Sequence, residues 1–152
     1  MGTRELSKFR AGGRDEAGKE PVNVRLSLSL PRDNASVPMA RRILATTLTT
    51  AGVTEECRAD ILLALAEACA NAVAHAQPAD DYKVTVDLDD AECRIEVIDA
   101  GSGFEPRGDH PELPLLAERG RGLHIIEAVS DAFDLRPNTP TGTLVRFVKR
   151  IA

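Results

Sequence analysis

The 152-residue chain has few aromatic side chains, no basic excess and no long apolar run. Aromatic residues make up 3% of it and tryptophan is absent, which leaves too few rings to stack the bases of single-stranded nucleic acid. The formal net charge is -5, so the positive footprint of a duplex-binding protein is missing. No apolar run approaches the ~20 residues of a membrane span, and the amino end lacks a signal peptide's apolar segment. We therefore expect a cytoplasmic protein without direct contact to nucleic acid or membrane.

Cysteine is also scarce. The three cysteines, Cys57, Cys69 and Cys93, are odd in number and form no Cys-x-x-Cys pair. This excludes a disulfide framework and a typical zinc site, and predicts three small core residues in a reducing compartment.

The chain divides into a tail and one domain. Residues 1–21 are rich in Gly, Arg, Lys and Glu without an apolar period, so we expect them to be disordered. Residues 22–152 are predicted to form a single domain, because 43% of the chain is hydrophobic and a chain of this length buries ~70% of its unfolded surface.

Hydrophobic periodicity, capping residues and turn residues predict the elements of this domain. Their order predicts an α+β fold, a two-layer sandwich of a mixed β-sheet with helices on one face. Residues 104–119 are predicted to be a loop of the lid type. The first elements are a strand over Val22–Leu30, a helix over Val37–Ala51 with Ser36 as N-cap and Gly52 at its end, and a helix that starts after the N-cap Thr54 and continues through Val73 to a point just before Pro78. They are followed by a hairpin of Tyr82–Leu88 and Cys93–Val97, a helix over Leu123–Ala132, and strands over Phe133–Arg136 and Thr143–Val148.

The second helix carries the first candidate cluster. Glu67 and Asn71 are four residues apart, so they lie on one face, and His75 follows one turn later. The carboxylate can orient and deprotonate a hydroxyl or water, and the amide oxygen can bind Mg²⁺. For this segment alone, the alternative is the solvated face of an amphipathic helix.

The second cluster, Asp99-x-Gly101-x-Gly103, ends a strand. Its glycines permit close approach of the backbone to a ligand, and its aspartate can accept a hydrogen bond from an exocyclic amine. The alternative is an ordinary Asp-Gly turn. It is neither a dinucleotide fingerprint nor a P-loop, because the third glycine and a Gly-Lys-Ser/Thr sequence are missing.

Two further glycine clusters follow. Gly120 and Gly122 lead into a helix whose N-terminal N–H groups suit phosphate, and Arg119 and Arg121 add positive charge. The alternative is a plain loop-to-helix junction. The segment 141–143, Thr-Gly-Thr, opens a strand and on its own indicates a turn.

Taken in order, the four clusters resemble the Bergerat-fold ATPases, the superfamily of gyrase, heat-shock chaperone, histidine kinase and mismatch-repair ATP-binding domains. The resemblance covers roughly residues 22–150. Within the superfamily the chain is similar to the anti-sigma factor serine/threonine kinases, because the domain stands nearly alone and the first cluster reads Glu-Ala-x-x-Asn-Ala-x-x-His-Ala.

This resemblance implies a role for each motif residue, with ATP and Mg²⁺ bound. Glu67 would be the general base and Asn71 the Mg²⁺ ligand, whereas His75 has no role beyond packing. Asp99 would bind the adenine amino group with support from Thr143. Gly101 and Gly103 would let the chain pass under the adenine, and Arg119 would contact the terminal phosphate. The phosphates would be cradled by Gly120, Arg121, Gly122 and Leu123.

The resemblance also implies partners. The kinase would phosphorylate an anti-sigma factor antagonist of the STAS type, sequester a sigma factor and form a homodimer. Two alternatives stay open: a non-catalytic regulator that uses ATP to shape a protein-binding surface, and a histidine-kinase-like catalytic subunit that acts in trans.

Overall fold

A computed structural model describes residues 21–75, 79–101, 121–137 and 142–151. Residues 1–20 of the predicted tail (1–21) and the predicted lid-type loop (104–119) lie outside these ranges, and both remain predictions. The elements, labelled in chain order, are β1 (Asn23–Pro31), α1 (Ser36–Thr50), α2 (Glu55–His75), β2 (Asp81–Asp89), β3 (Glu92–Asp99), α3 (Arg121–Val129), β4 (Ala132–Pro137) and β5 (Thr143–Arg150).

The five described strands form one sheet in the order β1-β2-β3-β5-β4. Every neighbouring pair in it is antiparallel, so the prediction of a mixed sheet was wrong. The physical reason is the position of β5. Strands β3 and β4 run in the same direction, but β5 lies between them and pairs with both.

The α+β two-layer prediction is confirmed. The strands alternate between a buried face and a polar face, as their period-2 pattern requires. The buried face packs against the three helices, and its central residues include Val86, Ile95 and Phe147, each at most 1% exposed. The opposite face carries ion pairs, such as Arg25 with Asp87 at 2.7 Å.

The helix ends differ in detail from the predictions. Ser36 is the first residue of α1 and not its N-cap, which is Ala35 without a side-chain hydrogen bond. The Ser36 hydroxyl instead donates to the Asp33 carbonyl oxygen at 2.7 Å. Thr54 does cap α2, because its hydroxyl accepts a hydrogen bond from the Cys57 N–H at 3.3 Å.

The third helix starts earlier and ends earlier than predicted. It ends at Val129, and Ala132 already pairs with Val148 in the sheet. Asp131 draws the chain into the sheet, because its N–H donates to the Val148 carbonyl at 2.8 Å and its carboxylate accepts from the Arg150 N–H at 2.6 Å.

The predicted state of the cysteines is correct for two of the three. Cys69 and Cys93 are buried free thiols, whereas Cys57 is only partly buried. Within the described part of the chain, no helix is long and apolar enough to cross a membrane.

Candidate active site

Three of the four polar residues that the fold buries belong to the predicted site, and Ser36 is the exception. Four polar or charged residues of the described ranges are buried: Ser36, Asn71, Asp99 and Thr143. Burying such groups costs free energy unless they have partners or a task. Because Asn71 is only 8% exposed, it does not belong to a solvated helix face, and that alternative is wrong for this residue.

Helix α2 carries Glu67 and Asn71 on a surface of small residues. Ala68 and Ala72 are 1% and 2% exposed, and with Leu65 they belong to the buried core. Glu67 is partly buried. The small residues let the helix backbone approach the neighbouring elements closely.

Gly122 joins the first cluster to the third. A Cβ atom added to this glycine would lie 3.1 Å from Oε2 of Glu67, so the carboxylate lies directly against the first turn of α3. The N–H groups of a first helical turn have no partner within the helix and carry partial positive charge. The arrangement therefore places a carboxylate beside a phosphate-binding type of helix end.

Asp99 and Thr143 form the opposite part of the site. They face each other across the β3–β5 pair and are 4% and 0% exposed. The side chain of Asp99 also accepts a hydrogen bond from the Gly101 N–H at 3.0 Å. This Asx turn fixes the carboxylate orientation where the strand ends.

Gly142 brings the fourth cluster against the second. Its φ is +108°, and an added Cβ would lie 2.0 Å from the Asp99 carbonyl oxygen. Only glycine combines that backbone conformation with such close approach. Gly142 is thus more than a turn residue, since it allows β5 to begin directly beside the end of β3.

A buried polar contact connects the two parts. Cys69, which lies in the helical turn between Glu67 and Asn71, is close enough to the Tyr82 hydroxyl for each group to affect the pKa of the other. Tyr82 in turn faces Asp99 across the β2–β3 pair. The turn of α2 with the candidate acid and amide therefore lies beside the strand end that carries Asp99.

Some of the remaining predicted site residues lie in the described ranges and others lie outside them. Arg121 is exposed at the first position of α3, and His75 is partly buried in the last turn of α2. Leu123 is 0% exposed, so its side chain belongs to the core and only its backbone can serve a ligand. Three predicted residues, Gly103, Arg119 and Gly120, lie outside the described ranges.

Sequence reasoning missed Tyr82 and Ser36. Tyr82 is the only tyrosine of the chain and is 1% exposed. The signal was available, because a tyrosine on the inward side of an alternating strand needs a hydrogen-bond partner for its hydroxyl. Burial raises the pKa of Cys69 to about 12 and also raises the pKa of Tyr82, so both groups keep their protons at neutral pH.

The fold and these clusters define a class: a two-layer α+β domain with a polar nucleotide-type site between its helices and one end of its sheet. Residues 30–149 match the family model of the histidine kinase-like ATPase domain. The chain belongs to that family.

Similar proteins agree with this assignment. The chain is 29% identical over 139 residues to serine-protein kinase RsbW of Oceanobacillus iheyensis, covering 84% of this chain and 87% of that protein. It is 27% identical over 140 residues to serine-protein kinase RsbW of Bacillus pumilus, covering 82% and 86%. The solved RsbU and RsbW domains of Rv1364c from Mycobacterium tuberculosis share its fold, with a TM-score of 0.66, 23% identity and 84% of this chain covered. The chain spans about a third of that longer protein, 32%.

Proposed function

We propose that this chain is an ATP-dependent serine/threonine protein kinase of the anti-sigma factor type. The main support for the proposal is the contact between the Glu67 carboxylate and the first turn of α3. A Cβ atom added to Gly122 in that turn would lie 3.1 Å from Oε2 of Glu67. The contact places a base beside a helix end that suits a phosphate group. The names of the two similar RsbW proteins, both serine-protein kinases, support the same reaction.

The proposed adenine end is built on the buried strand pair. Asp99 accepts a hydrogen bond from the exocyclic amine of adenine, and Thr143 supports it from β5. Gly101 lets the chain pass under the base, together with Gly103. The burial of Asp99, 4% exposed, makes its charge-assisted hydrogen bond stronger than one in water.

The proposed phosphate end is the start of α3. Backbone N–H groups from Gly120 to Leu123 cradle the phosphates, and the helix dipole favours their charge. Arg121 is exposed at the first helical position and adds a mobile positive charge. Arg119 is proposed to contact the terminal phosphate.

Glu67 is proposed as the general base. It accepts the proton of a serine or threonine hydroxyl as that oxygen attacks the terminal phosphorus of ATP and ADP leaves. Phosphoryl transfer depends mainly on positioning and on neutralising charge. A base contributes roughly 10²- to 10⁴-fold to such a step, so Glu67 is needed for rate more than for binding.

Asn71 fits the proposed Mg²⁺ site. Mg²⁺ in phosphate sites takes few protein ligands and keeps phosphate oxygens and waters for the rest. Asn71, a residue that is 8% exposed, offers one neutral oxygen ligand one helical turn from Glu67. Within the described ranges there is no group of three or more His, Cys, Asp or Glu that could hold a metal. When bound, Mg²⁺ supplies neutralisation of the phosphate charge.

The proposed partners follow from the same assignment. The phosphate acceptor is a serine or threonine on a STAS-type anti-sigma factor antagonist, and the kinase sequesters a sigma factor once that antagonist is phosphorylated. We also propose that it acts in the cytoplasm as a homodimer. Its effect on transcription is therefore exerted through protein binding and not through DNA.

The test is a transfer assay with γ-labelled ATP, Mg²⁺ and a panel of STAS-domain proteins. Acid-stable label on one of them is the expected result, because phosphoserine and phosphothreonine survive acid. Acid-labile label would point to a histidine kinase-like subunit. Bound ATP without transfer to any protein in the panel would favour the non-catalytic regulator.

A further inference from the structure

Lys149 occupies a strand position at which the fold otherwise buries apolar side chains. The two preceding inward residues of β5, Val145 and Phe147, are 4% and 1% exposed. Side chains of a strand alternate between its two faces, so Lys149 also lies on the helix side of the sheet. Its side chain is 19% exposed, which is low for a lysine. A charge in such a place is costly unless it is paired, so the partners of its ammonium group indicate what the lysine does.

The ammonium group of Lys149 joins two helices. It pairs with the Asp60 carboxylate of α2, with 2.9 Å between Nζ and Oδ2, and it donates a hydrogen bond to the Val129 carbonyl oxygen at 3.1 Å. Val129 is the last residue of α3, and a cation at the carbonyl end of a helix is stabilised by the helix dipole. Because α3 has no basic residue in its own last turn, β5 supplies this charge.

Two contacts at opposite ends of α3 therefore locate it on α2. At the first end, Glu67 lies against Gly122. At the second end, Lys149 bridges Asp60 to Val129. The two α2 residues are seven positions apart, and so are the two α3 residues. Seven residues are two helical turns, a rise of about 10 Å, so the helices are antiparallel and the two contacts match in spacing.

Apolar packing is concentrated in the first two turns of α3. Leu123 and Ile126 are both 0% exposed and hold these turns against the core. In the last turn, Glu127 and Ala128 are exposed and Val129 is only half-buried. The angle of the helix about its two core residues therefore depends on what holds the last turn, and hydrogen bonds fix an angle because they depend on direction.

Strand β5 supplies the hydrogen bonds at this end. The Asp131 N–H donates to the Val148 carbonyl at 2.8 Å, and the Asp131 carboxylate accepts from the Arg150 N–H at 2.6 Å. These bonds attach the chain two residues beyond α3. Lys149 differs from them because it binds the helix itself, at Val129, and also reaches α2.

A small rotation of α3 would displace its phosphate-binding end. Gly122 lies roughly 4 Å along the helix from the midpoint between Leu123 and Ile126, so a rotation of about 10° about that midpoint moves it by roughly 0.7 Å. A misplacement of about 1 Å costs on the order of 10²-fold in rate. The loss expected from such a rotation is therefore about tenfold.

We propose that Lys149, paired with Asp60, is a positioning residue for the phosphoryl transfer, because it sets the angle of α3 on α2 and so keeps the phosphate-binding end of α3 against Glu67. The inference rests on the proposed kinase function. Lys149 acts through α3 and not on the nucleotide.

The test compares two variants with one control in the full chain. Lys149→Met keeps an unbranched side chain and removes the ammonium group, and the Asp60 side chain that loses its partner is 33% exposed, so water can hydrate it. Asp60→Asn keeps the shape of the side chain and removes its charge. Arg146→Met is the matched control, because Arg146 lies on the opposite face of the same strand and loses a hydrogen-bonded ion pair, from Nε to Oε1 of Glu96 at 2.8 Å.

The decisive comparison is between ATP and adenosine. In the proposed site α3 binds the phosphates and Asp99 binds the adenine, so a displaced α3 weakens ATP binding and leaves adenosine binding unchanged. A merely structural role of Lys149 would weaken both ligands together, in step with the Tm.

We expect Lys149→Met to lower kcat for transfer to the STAS-domain acceptor about tenfold. It should raise the Kd for ATP with Mg²⁺ at least threefold and leave the Kd for adenosine within twofold of the wild type. Amide hydrogen exchange of residues 121–130 should become faster. Asp60→Asn should shift the same quantities in the same direction by a smaller factor, and Arg146→Met should leave all of them at the wild-type level.

Wild-type kcat and Kd for ATP in folded Lys149→Met would overturn the inference, and so would an equal weakening of ATP and adenosine. If Lys149→Met does not fold, Asp60→Asn decides by the same criteria. If the wild-type protein binds ATP but phosphorylates no protein in the panel, the kinase proposal fails, and the positioning role is then judged on the two Kd values alone. A wild-type protein without ATP binding would overturn both.

Discussion

Replacing Gly122 by alanine separates stability from activity. Gly122 is in the first turn of α3 with ordinary helical backbone, and an added Cβ would lie 3.1 Å from Oε2 of Glu67, where ordinary contacts are 3.4–4 Å. The contacted atom is the end of a flexible side chain. The carboxylate can therefore move away at little energetic cost, and the backbone need not shift.

The two effects have opposite signs. Alanine in a helix is more favourable than glycine by up to ~1 kcal/mol, so the free energy of unfolding should stay the same or rise by up to that amount. The carboxylate must shift by about 0.3 Å or more, and a misplacement of about 1 Å costs on the order of 10²-fold in rate. We expect transfer from γ-labelled ATP to fall about tenfold.

Gly52 provides the matched control. It has a φ of +81°, and an added Cβ would find no atom within 4 Å. Gly52→Ala should therefore lose about 1 kcal/mol of stability through backbone strain and keep wild-type transfer. Urea unfolding and the labelled-ATP assay measure both quantities. If Gly122→Ala retains full transfer, the contact between Glu67 and α3 does not serve the reaction.

Three further predictions concern the strand ends and a buried thiol. Gly142→Ala should unfold the protein or lower its free energy of unfolding in urea by more than ~3 kcal/mol, because the added Cβ would lie 2.0 Å from the Asp99 carbonyl oxygen and the strain of a positive φ adds to that clash. Near-wild-type stability would contradict the close approach. The Asp99→Asn side chain can still accept a hydrogen bond from the Gly101 N–H, so this variant should fold normally. Calorimetry should show ATP binding about 10- to 100-fold weaker, which corresponds to the loss of a hydrogen bond to a charged group, and unchanged affinity would refute the adenine role. Burial raises the pKa of Cys93 from 9.0 to about 12, so between pH 9 and pH 11 mainly the unfolded chain releases this proton. The contribution of Cys93 to the free energy of unfolding should therefore fall by roughly 2 to 3 kcal/mol over this range. Urea unfolding of Cys93→Ala should show a shallower decline, and an identical slope in both proteins would contradict this pKa.

The elements were predictable because local patterns determine them. The alternation of apolar and polar residues in β1 indicates which of its side chains are buried, and the capping residue Thr54 indicates where α2 begins. The antiparallel sheet was not predictable in this way, because it depends on β5 inserting between β3 and β4, a pairing of distant segments. The early end of α3 has a similar cause, since Asp131 binds to β5.

The site was predictable in its residue types and not in its contacts. The spacing of Glu67 and Asn71 indicates a shared helix face, but burial of Asn71 depends on which way that face turns in the fold. The contact between Gly122 and Glu67 joins residues far apart in sequence. Tyr82 stood in a pattern typical of any half-buried strand, so its hydrogen bond with Ser36 at the start of α1 could be seen only in the tertiary structure.

The most direct test of the central assignment is single-turnover phosphate transfer by Glu67→Gln at saturating ATP. Glutamine keeps the shape of the side chain and removes the base. We predict that transfer to the STAS-domain acceptor falls at least 10²-fold, within the range of general-base catalysis, while the Kd for ATP stays within about threefold of the wild type. Transfer at the wild-type rate would show that Glu67 is not the base and would contradict the proposed mechanism.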